Sequence, residues 1–382
     1  MSVDLAAAAN RFAEATDLSV GIEEEFLVLD PRTLELVSKF ESLAQAASEE
    51  DPVLYEHITG ELISSEIEII SGVGADVHDA LARQRDRRRR LFALTDAHGV
   101  VLGATGTHPW ADYRAQQIID TDHYRRVAQE LQYVVWRNNT FSLHVHVGVR
   151  DADRAVRVCD RLRPVLPLLL ALSANSPYLD GQPAGLHSSR TQAFTRGFPR
   201  CGIPDSFGGF KQYSEYIELL VRTNSIVEFT QVWWSVRPHF AFGTVEVRIC
   251  DAQSTAEESD ALASLIVACV AQALRDVDEG VPHTDLQPRL IEENMWRAIR
   301  YGLDGQMIDF ERGEEYPAAA IAERLLKWTA PMRSELGIQP TFPEQNGAQR
   351  QRRMIDAGAT MEEVFAESVR ETADTYAAQV RA

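Results

Sequence analysis

The sequence predicts an α+β fold. Its strand-like segments lie in the first two thirds of the chain and do not alternate strictly with helices, which favours α+β over a doubly wound sheet. The rest of the chain has helical patterns over 256–279, 286–300, 316–330 and 349–380. The 382 residues contain no internal repeat and no low-complexity linker, so we expect a single domain over 1–382.

Local signals support the order of the earlier elements. Asp76 is a candidate N-cap and Gly99 a stop signal, which together predict one long helix between them. Pro164 and Pro167 predict a bend or a restart in a later helix. In chain order, we expect helices over 1–16, 39–50, 76–97, 121–134, 151–174 and 211–221, and strands over 18–29, 61–70, 100–105, 141–149 and 243–250.

Four of these strands place ionisable residues two positions apart. Side chains two apart on a strand project from the same face, and the alternate positions here are largely Val, Ile, Leu or Phe, which can bury the other face. If the strands share a sheet, one of its surfaces gathers carboxylates, imidazoles and a guanidinium. The pairs are Glu23 with Glu25, Glu66 with Glu68, His144 with His146, and Glu246 with Arg248.

A long segment over 175–209 is rich in Ser, Gly, Pro and Arg, and we expect it to be a loop. A loop of this length inside a compact domain is usually functional. Its arginines Arg190, Arg196 and Arg200 are candidates for binding an anionic substrate or nucleotide phosphates, with Arg190 the first choice.

The composition limits the class of protein. A net charge of −19 argues against general nucleic-acid binding. The four cysteines form no Cys-x-x-Cys pair, so we expect reduced thiols and a cytoplasmic protein. The N-terminus has no basic region typical of a signal peptide, and the longest apolar run, over 165–174, is about half the length of a membrane span.

The clustered carboxylates predict a divalent metal site, because like charges held close together repel unless a cation or protons neutralise them. Mg²⁺ and Mn²⁺ prefer carboxylate oxygens, sometimes with one imidazole. His-x-His also occurs in zinc hydrolases, but the surplus of Glu over His favours Mg²⁺ and a phosphate-bearing substrate. The candidate ligands are Glu23, Glu25, Glu61, Glu68, Glu246 and one of His144 and His146.

Arg248 shares a strand face with Glu246, so a metal ligand and a phosphoryl contact can lie side by side. The alternative is that Arg248 is only the ion-pair partner of Glu246. The chain has neither a P-loop nor a Gly-x-Gly-x-x-Gly motif, which argues against those two nucleotide sites.

Taken together and in this order, the motifs resemble the carboxylate-amine ligase family, also called glutamate–cysteine ligase type 2, of the glutamine-synthetase-like superfamily. The resemblance covers about 18–305 and leaves 306–382 as a helical C-terminal extension. It implies a curved, mainly antiparallel sheet flanked by helices, which holds ATP and Mg²⁺. The matching segments are Gly-Ile-Glu-Glu-Glu-Phe (21–26), Glu-x₆-Glu (61–68), Gly-Thr-His-Pro (106–109), His-Val-His-Val-Gly (144–148), Asn-Ser-Pro (175–177), Phe-Gly-Thr-Val-Glu-Val-Arg-Ile-Cys-Asp (242–251) and Glu-Asn-Met-Trp-Arg-Ala-Ile-Arg-Tyr-Gly (293–302).

The resemblance also implies an activity: ATP-dependent amide formation through an acyl-phosphate, with small-molecule acid and amine substrates such as glutamate and cysteine. A His-x-His metal hydrolase and a catalytically silent metabolite-binding protein are the alternatives. We expect no nucleic-acid or membrane partner, and a homo-oligomer stays open. The residues that match the family's positions are Glu23, Glu25, Glu61, Glu68, His146 and Glu246 for the metal (Mg²⁺ or Mn²⁺), Glu246 and Arg248 for catalysis, and Arg248 with Arg190 for the nucleotide.

Overall fold

In the computed structural model, residues 4–378 are described. The strands are β1 (Val20–Leu29), β2 (Ile58–Thr59), β3 (Glu66–Ile70), β4 (Val101–Gly103), β5 (Ser142–Gly148), β6 (Tyr178–Leu179), β7 (Gln182–Pro183), β8 (Cys201–Gly202), β9 (Trp233–Trp234), β10 (Val236–His239), β11 (Thr244–Asp251), β12 (Gln306–Asp309) and β13 (Glu314–Pro317). The helices are α1 (Leu5–Glu14), α2 (Phe40–Glu50), α3 (Pro52–Tyr55), α4 (Val77–Ala97), α5 (Asp122–Leu131), α6 (Ala152–Leu162), α7 (Leu166–Ser173), α8 (Ser189–Gly197), α9 (Phe210–Arg222), α10 (Ala256–Asp278), α11 (Pro288–Tyr301), α12 (Ala318–Glu335), α13 (Gly347–Asp356) and α14 (Met361–Ala378).

A seven-stranded sheet forms the centre of the fold. Its strand order is β10-β11-β5-β1-β3-β2, and β4 pairs with the end of β1. Every strand pair within this sheet is antiparallel. The prediction of an α+β fold with a mainly antiparallel sheet is therefore confirmed.

The two faces of the sheet have different partners. On one face, Ile22 joins the largest apolar core, and Phe26 packs edge-on against Phe92 of α4 and Tyr376 of α14. Glu24 lies between them and forms a buried ion pair with Arg88 of α4. The other face of β1 carries Glu23 and Glu25, as the two-residue alternation predicts.

Several predicted elements are confirmed and others need correction. The predicted restart near Pro167 is present, since α6 and α7 are separate helices joined by a 3₁₀ turn. The strand predicted over 61–70 is shorter, because the chain turns at Ser64 and Ser65 and regular pairing begins only at Glu66. The helix predicted over 349–380 is two helices, α13 and α14, separated at Gly358, which has a φ of 98°.

The segment 175–209 is not a continuous loop. It contains the β6–β7 hairpin and α8, whose N-cap Ser188 accepts a hydrogen bond from the backbone of Thr191. The loop prediction failed because buried polar contacts with β11, which the local composition does not reveal, hold this segment in place. Across residues 4–378, every helix is too short or too polar to cross a bilayer.

Candidate active site

A cavity of about 250 Å³ opens over the face of the sheet that carries Glu23 and Glu25. Strands β1, β3, β5, β10 and β11 form its floor, and residues of α5 and α8 line its sides. The ionisable side chains that line it are Glu23, Glu25, Glu61, Glu66, Glu68, His123, Tyr124, His144, His146, Arg190, Arg237, His239, Glu246 and Arg248. All residues proposed for the metal, for catalysis and for the nucleotide are in this set, but of the three candidate arginines in the segment 175–209 only Arg190 is.

Strand register brings the carboxylates and imidazoles together. Glu23 of β1 stands opposite His144 of β5, and Glu25 stands opposite Glu68 of β3. On the next strand, His146 is paired with Glu246 of β11. Side chains of directly opposite residues on one face are neighbours, so four strands deliver their polar groups to one place.

Three groups of side chains have ligand atoms close enough to share a cation. In each group, all the ligand atoms lie within 4.8 Å of one another. All six predicted metal ligands belong to at least one group, and His144 also belongs to one. The groups are Glu23 with Glu68 and His144, Glu23 with His146 and Glu246, and Glu25 with Glu61 and Glu68.

Without a cation, part of this cluster must hold protons. Burial, together with the carboxylate of Glu25, raises the pKa of Glu61 to about 8. Burial also raises the pKa of Glu66 and Glu68 well above the usual range, with further contributions from Glu25 and Glu23 respectively. The protein thus gathers more carboxylates than it can ionise by itself, which is the electrostatic condition for binding divalent cations.

Other carboxylates in the cavity are ionised. Burial opposes ionisation of Glu246, but the guanidinium groups of Arg237 and Arg248 hold its pKa well below the usual value. Burial likewise opposes ionisation of Glu23, whose pKa is nevertheless lowered, mainly by His146. Glu246 and Glu23 therefore face the cavity as anions.

His146 is oriented to present one ring nitrogen to the carboxylates. Its Nδ1 lies 2.9 Å from the hydroxyl of Thr244, which can accept the Nδ1 proton. Its Nε2 lies 3.1 Å from a carboxylate oxygen of Glu23 and 3.8 Å from one of Glu246. A hydrogen bond at the far nitrogen that fixes the ring is typical of metal-binding histidines.

His144 has partners on both ring nitrogens. Its Nε2 lies 2.7 Å from the hydroxyl of Ser142, and its Nδ1 lies 3.3 Å from Glu23. Burial, followed by the charge of Arg248, lowers its pKa, so His144 is neutral at physiological pH.

The arginines that line the cavity differ in how far protein groups already occupy their hydrogen-bond donors. Arg237 donates to Glu246 through Nε at 2.6 Å and to the carbonyl groups of Thr230 and Val232. Arg248 donates to Glu246 through one terminal nitrogen, and its side chain is the most exposed of the three arginines that line the cavity, at 15% against 7% for Arg237 and 6% for Arg190. Arg248 is therefore the cavity arginine best placed to donate to an anionic group, and its predicted contact with phosphate stays a prediction.

The loop arginines do not behave as a group. Arg190 lines the cavity, but its terminal nitrogens donate to the backbone carbonyls of Arg248 and Ile249. Arg196 pairs with Glu292, and Arg200 donates to Glu130 and to a backbone carbonyl. Neither Arg196 nor Arg200 lines the cavity.

Sequence reasoning omitted some residues from the proposed ligand set. Glu66 shares the cavity face with Glu68, and the two-residue spacing between them was the signal in the sequence that places Glu66 there. Arg237 is bonded to Glu246 because β10 and β11 pair in a hairpin that places the two residues opposite each other. Tyr124 and His239 also line the cavity, and only the tertiary arrangement of α5 and β10 places them there.

Comparison with known proteins gives consistent sequence matches. The family described as "Glutamate-cysteine ligase family 2 (GCS2)" matches residues 19–373, which includes most of the C-terminal helical part. The chain is 38% identical over 362 residues to a protein of Solibacter usitatus named "Putative glutamate--cysteine ligase 2", with 93% of each chain covered. A protein of Sorangium cellulosum with the same name is 37% identical over 348 residues, with 91% of each covered.

Two solved structures share the fold. A bifunctional glutathione synthetase from Pasteurella multocida matches 98% of this chain with a TM-score of 0.70 at 15% identity, and the match spans 54% of that protein's length. A glutamate–cysteine ligase from Francisella tularensis, solved in complex with AMP, has a TM-score of 0.66 at 12% identity and covers 95% of this chain and 90% of its own.

Proposed function

The chain belongs to glutamate-cysteine ligase family 2 and is an ATP-dependent carboxylate-amine ligase, and we propose that it joins glutamate to an amine such as cysteine. The family predicted from the motifs is thereby confirmed. One observation carries the proposal for the site: five carboxylates and the two imidazoles of β5, carried by four strands, meet together with Glu61 beside Arg248, the most exposed arginine of the cavity. Carboxylates and imidazole suit Mg²⁺ or Mn²⁺, and an arginine suits a phosphoryl oxygen.

The donor set fits the expected cations. Glu23, Glu25, Glu61, Glu68, His146 and Glu246 are the residues that we propose hold Mg²⁺ or Mn²⁺ with ATP. When bound, such cations neutralise phosphate oxygens and align donor and acceptor groups.

The surrounding protein then has three tasks of its own. Arg248 meets a phosphoryl oxygen, and Arg237 holds Glu246 in place. Thr244 fixes the ring of His146. Together these contacts orient the charged groups before the substrates arrive.

The cysteines argue for an acyl-phosphate rather than a thioester on the protein. Burial raises the pKa of Cys201 to about 12 and that of Cys250 to about 12, so neither is a ready thiolate. Among the described residues, no cysteine lines the cavity. We propose that the acid is activated by the γ-phosphoryl group of ATP and that the amine then attacks the acyl-phosphate.

The two alternative functions, a metal hydrolase and a silent binding protein, would require other features of the site. A zinc hydrolase of the His-x-His type needs both imidazoles as equivalent ligands, whereas the Nε2 of His146 faces the carboxylates of Glu23 and Glu246 and the Nε2 of His144 is bonded to the hydroxyl of Ser142. A silent binding protein has no need of a partly exposed arginine beside several carboxylates.

The test is a screen of acids and amines scored by phosphate release from ATP in the presence of Mg²⁺. A ligase releases phosphate in the presence of one acid and one amine, and omission of either substrate is the control. Hydrolysis of a substrate with Zn²⁺ and without ATP would establish the hydrolase instead. Binding without any turnover would establish the silent protein.

His146 should matter more than His144. Because only His146 presents a nitrogen to Glu23 and Glu246, His146→Ala should lower kcat by about 100-fold, the cost typical of disturbing a metal's surroundings, and His144→Ala by less. The measurement is ATP turnover together with the Mg²⁺ concentration for half-maximal rate. Equal losses for the two variants, with zinc in the purified protein, would favour the hydrolase.

Mg²⁺ should stabilise the protein more at about pH 8 than at about pH 6. The folded-state pKa of Glu61 is raised from 4.5 to about 8, so the folded protein holds a proton that the unfolded chain has lost. The stability that this proton provides is full below pH 4.5 and is lost as pH rises through about 8. A cation replaces the proton, so its stabilisation grows over the same interval.

The measurement is the rise in Tm on adding Mg²⁺ at each pH. Glu61→Gln removes one of the titrating groups and should weaken the pH dependence, whereas Glu49→Gln, at an exposed carboxylate on α2, should not. A Mg²⁺ effect that is the same at both pH values in the unmodified protein would contradict this expectation.

A further inference from the structure

A β-bulge interrupts β11 at the residue expected to contact phosphate. The register between β11 and β5 holds as far as Val247 and resumes at Cys250. Between these points β11 contributes Arg248 and Ile249, whereas β5 contributes only His144. A bulge with two residues opposite one bends its strand, breaks the hydrogen-bond ladder locally and re-aims a side chain.

Arg190 bonds to both residues of the bulge. Its two terminal nitrogens donate to the carbonyl groups of Ile249 and Arg248, each at 3.1 Å. Backbone carbonyls that lose their strand partner when buried need another donor. The side chain of Arg190 is only 6% exposed, so this contact lies inside the protein.

The position of Arg190 is fixed independently of any substrate. Its backbone N–H donates to the hydroxyl of Ser176, and its guanidinium lies 3.7 Å from Asp251 at the end of β11. Asp251 is fully buried and accepts hydrogen bonds from the hydroxyls of Ser176 and Ser188. These contacts anchor the start of α8 to the same strand that carries the bulge.

We propose that Arg190 is a positioning residue: it holds the bulge in β11 and thereby aims the guanidinium of Arg248 into the cavity. This differs from the direct contact with a nucleotide or anionic substrate that the sequence suggested. The Nε of Arg190 is buried without a partner among residues 4–378, so it is not open to solvent. For the role of Arg248 in catalysis, the inference rests on the proposed function.

A crystal structure of Arg190→Ala tests the structural part without any assay. We expect the strand between Val247 and Cys250 to change register or the side chain of Arg248 to leave Glu246. An unchanged bulge with Arg248 still bonded to Glu246 would overturn the inference. Arg190→Lys, which keeps the charge beside Asp251 but replaces the two separate terminal nitrogens with a single one, serves if the alanine variant does not fold.

A double-mutant cycle tests the functional part. Arg190→Ala should lower kcat by about 100-fold, the scale expected when a catalytic group is displaced by about 1 Å, with the KM for ATP and the acid little changed. Once Arg248 is alanine, removing Arg190 as well should cause little further loss, because both changes remove one effect. If the loss of kcat in the double variant is the product of the two single losses, and Arg190→Ala also raises the KM for ATP or the acid, Arg190 contacts the substrate directly. That result would overturn the inference.

Arg163 provides the matched control. It is buried like Arg190 and donates to the backbone carbonyls of Pro204 and Leu286, but it does not line the cavity. Arg163→Ala should lower Tm while leaving kcat near the unmodified value at temperatures where the variant is folded. If none of the tested pairs of acid and amine makes the unmodified protein release phosphate, the proposed function fails. The crystal structure of Arg190→Ala still decides the role of Arg190 in the bulge.

Discussion

Glu246→Gln is expected to reduce ATP turnover by about 1,000-fold, the upper range for removing one preorganised charge from an active site. Glu246 contacts three other ionisable side chains that line the cavity. It is bonded to Arg237 and Arg248, and it lies 3.8 Å from the nitrogen of His146. An amide cannot supply the negative charge that a cation requires, so the substitution removes a ligand without changing the side chain's size.

The same substitution should also affect stability. Glu246 is 1% exposed, and Arg237 loses its charged partner when the carboxylate becomes an amide. Breaking a buried ion pair in this way is destabilising by up to about 3–5 kcal/mol. Activity must therefore be measured well below the Tm of the variant, and loss of rate must be separated from loss of fold.

Glu258→Gln is the control for that separation. Glu258 is also a buried carboxylate held by an arginine, since Arg350 donates to both of its oxygens at 2.6 and 2.8 Å. It lies on α10, away from the cavity. Both variants should lose stability, but only Glu246→Gln should lose turnover and show a smaller rise in Tm with Mg²⁺. A folded Glu246→Gln protein with near-normal turnover would remove Glu246 from the metal site.

The sequence predicted the composition of the site because the site is built on strands. The two-residue period makes Glu23 and Glu25 project together, and the same holds for His144 and His146. Glu61 is the exception. It was proposed as a ligand at the start of a strand predicted over 61–70, but it precedes β3 rather than belonging to it, so alternation along β3 does not account for its place in the cluster.

What the sequence could not predict depends on contacts between distant segments. Arg237 lies opposite Glu246 because of the register of the β10–β11 hairpin. Arg190 is buried next to Asp251 at the end of β11. A run of Ser, Gly, Pro and Arg has the composition of a loop, and that composition suggested that Arg190 binds an anionic substrate or nucleotide phosphates. The buried carboxylate and the β11 bulge, which set the actual environment of Arg190, lie about 60 residues further along the chain.

Arg248→Ala should reduce kcat by about 100- to 1,000-fold while the Mg²⁺-dependent rise in Tm persists. Burial opposes the charge of Arg248, but Glu246 raises its pKa further, so the guanidinium stays charged at any working pH. Its loss removes the phosphoryl contact and leaves every proposed metal ligand in place. Glu246 keeps Arg237 as a partner, so the fold should survive.

This pattern distinguishes Arg248 from Glu246, whose substitution should lower turnover by about 1,000-fold and also weaken the effect of Mg²⁺ on Tm. Arg248→Lys should give an intermediate rate, because an ammonium keeps the charge but not the planar fork that matches phosphate oxygens. Arg196→Ala, at an exposed arginine paired with Glu292, should leave the rate unchanged. If Arg248→Ala keeps its turnover, Arg248 is only the ion-pair partner of Glu246, and the phosphoryl contact must come from another group.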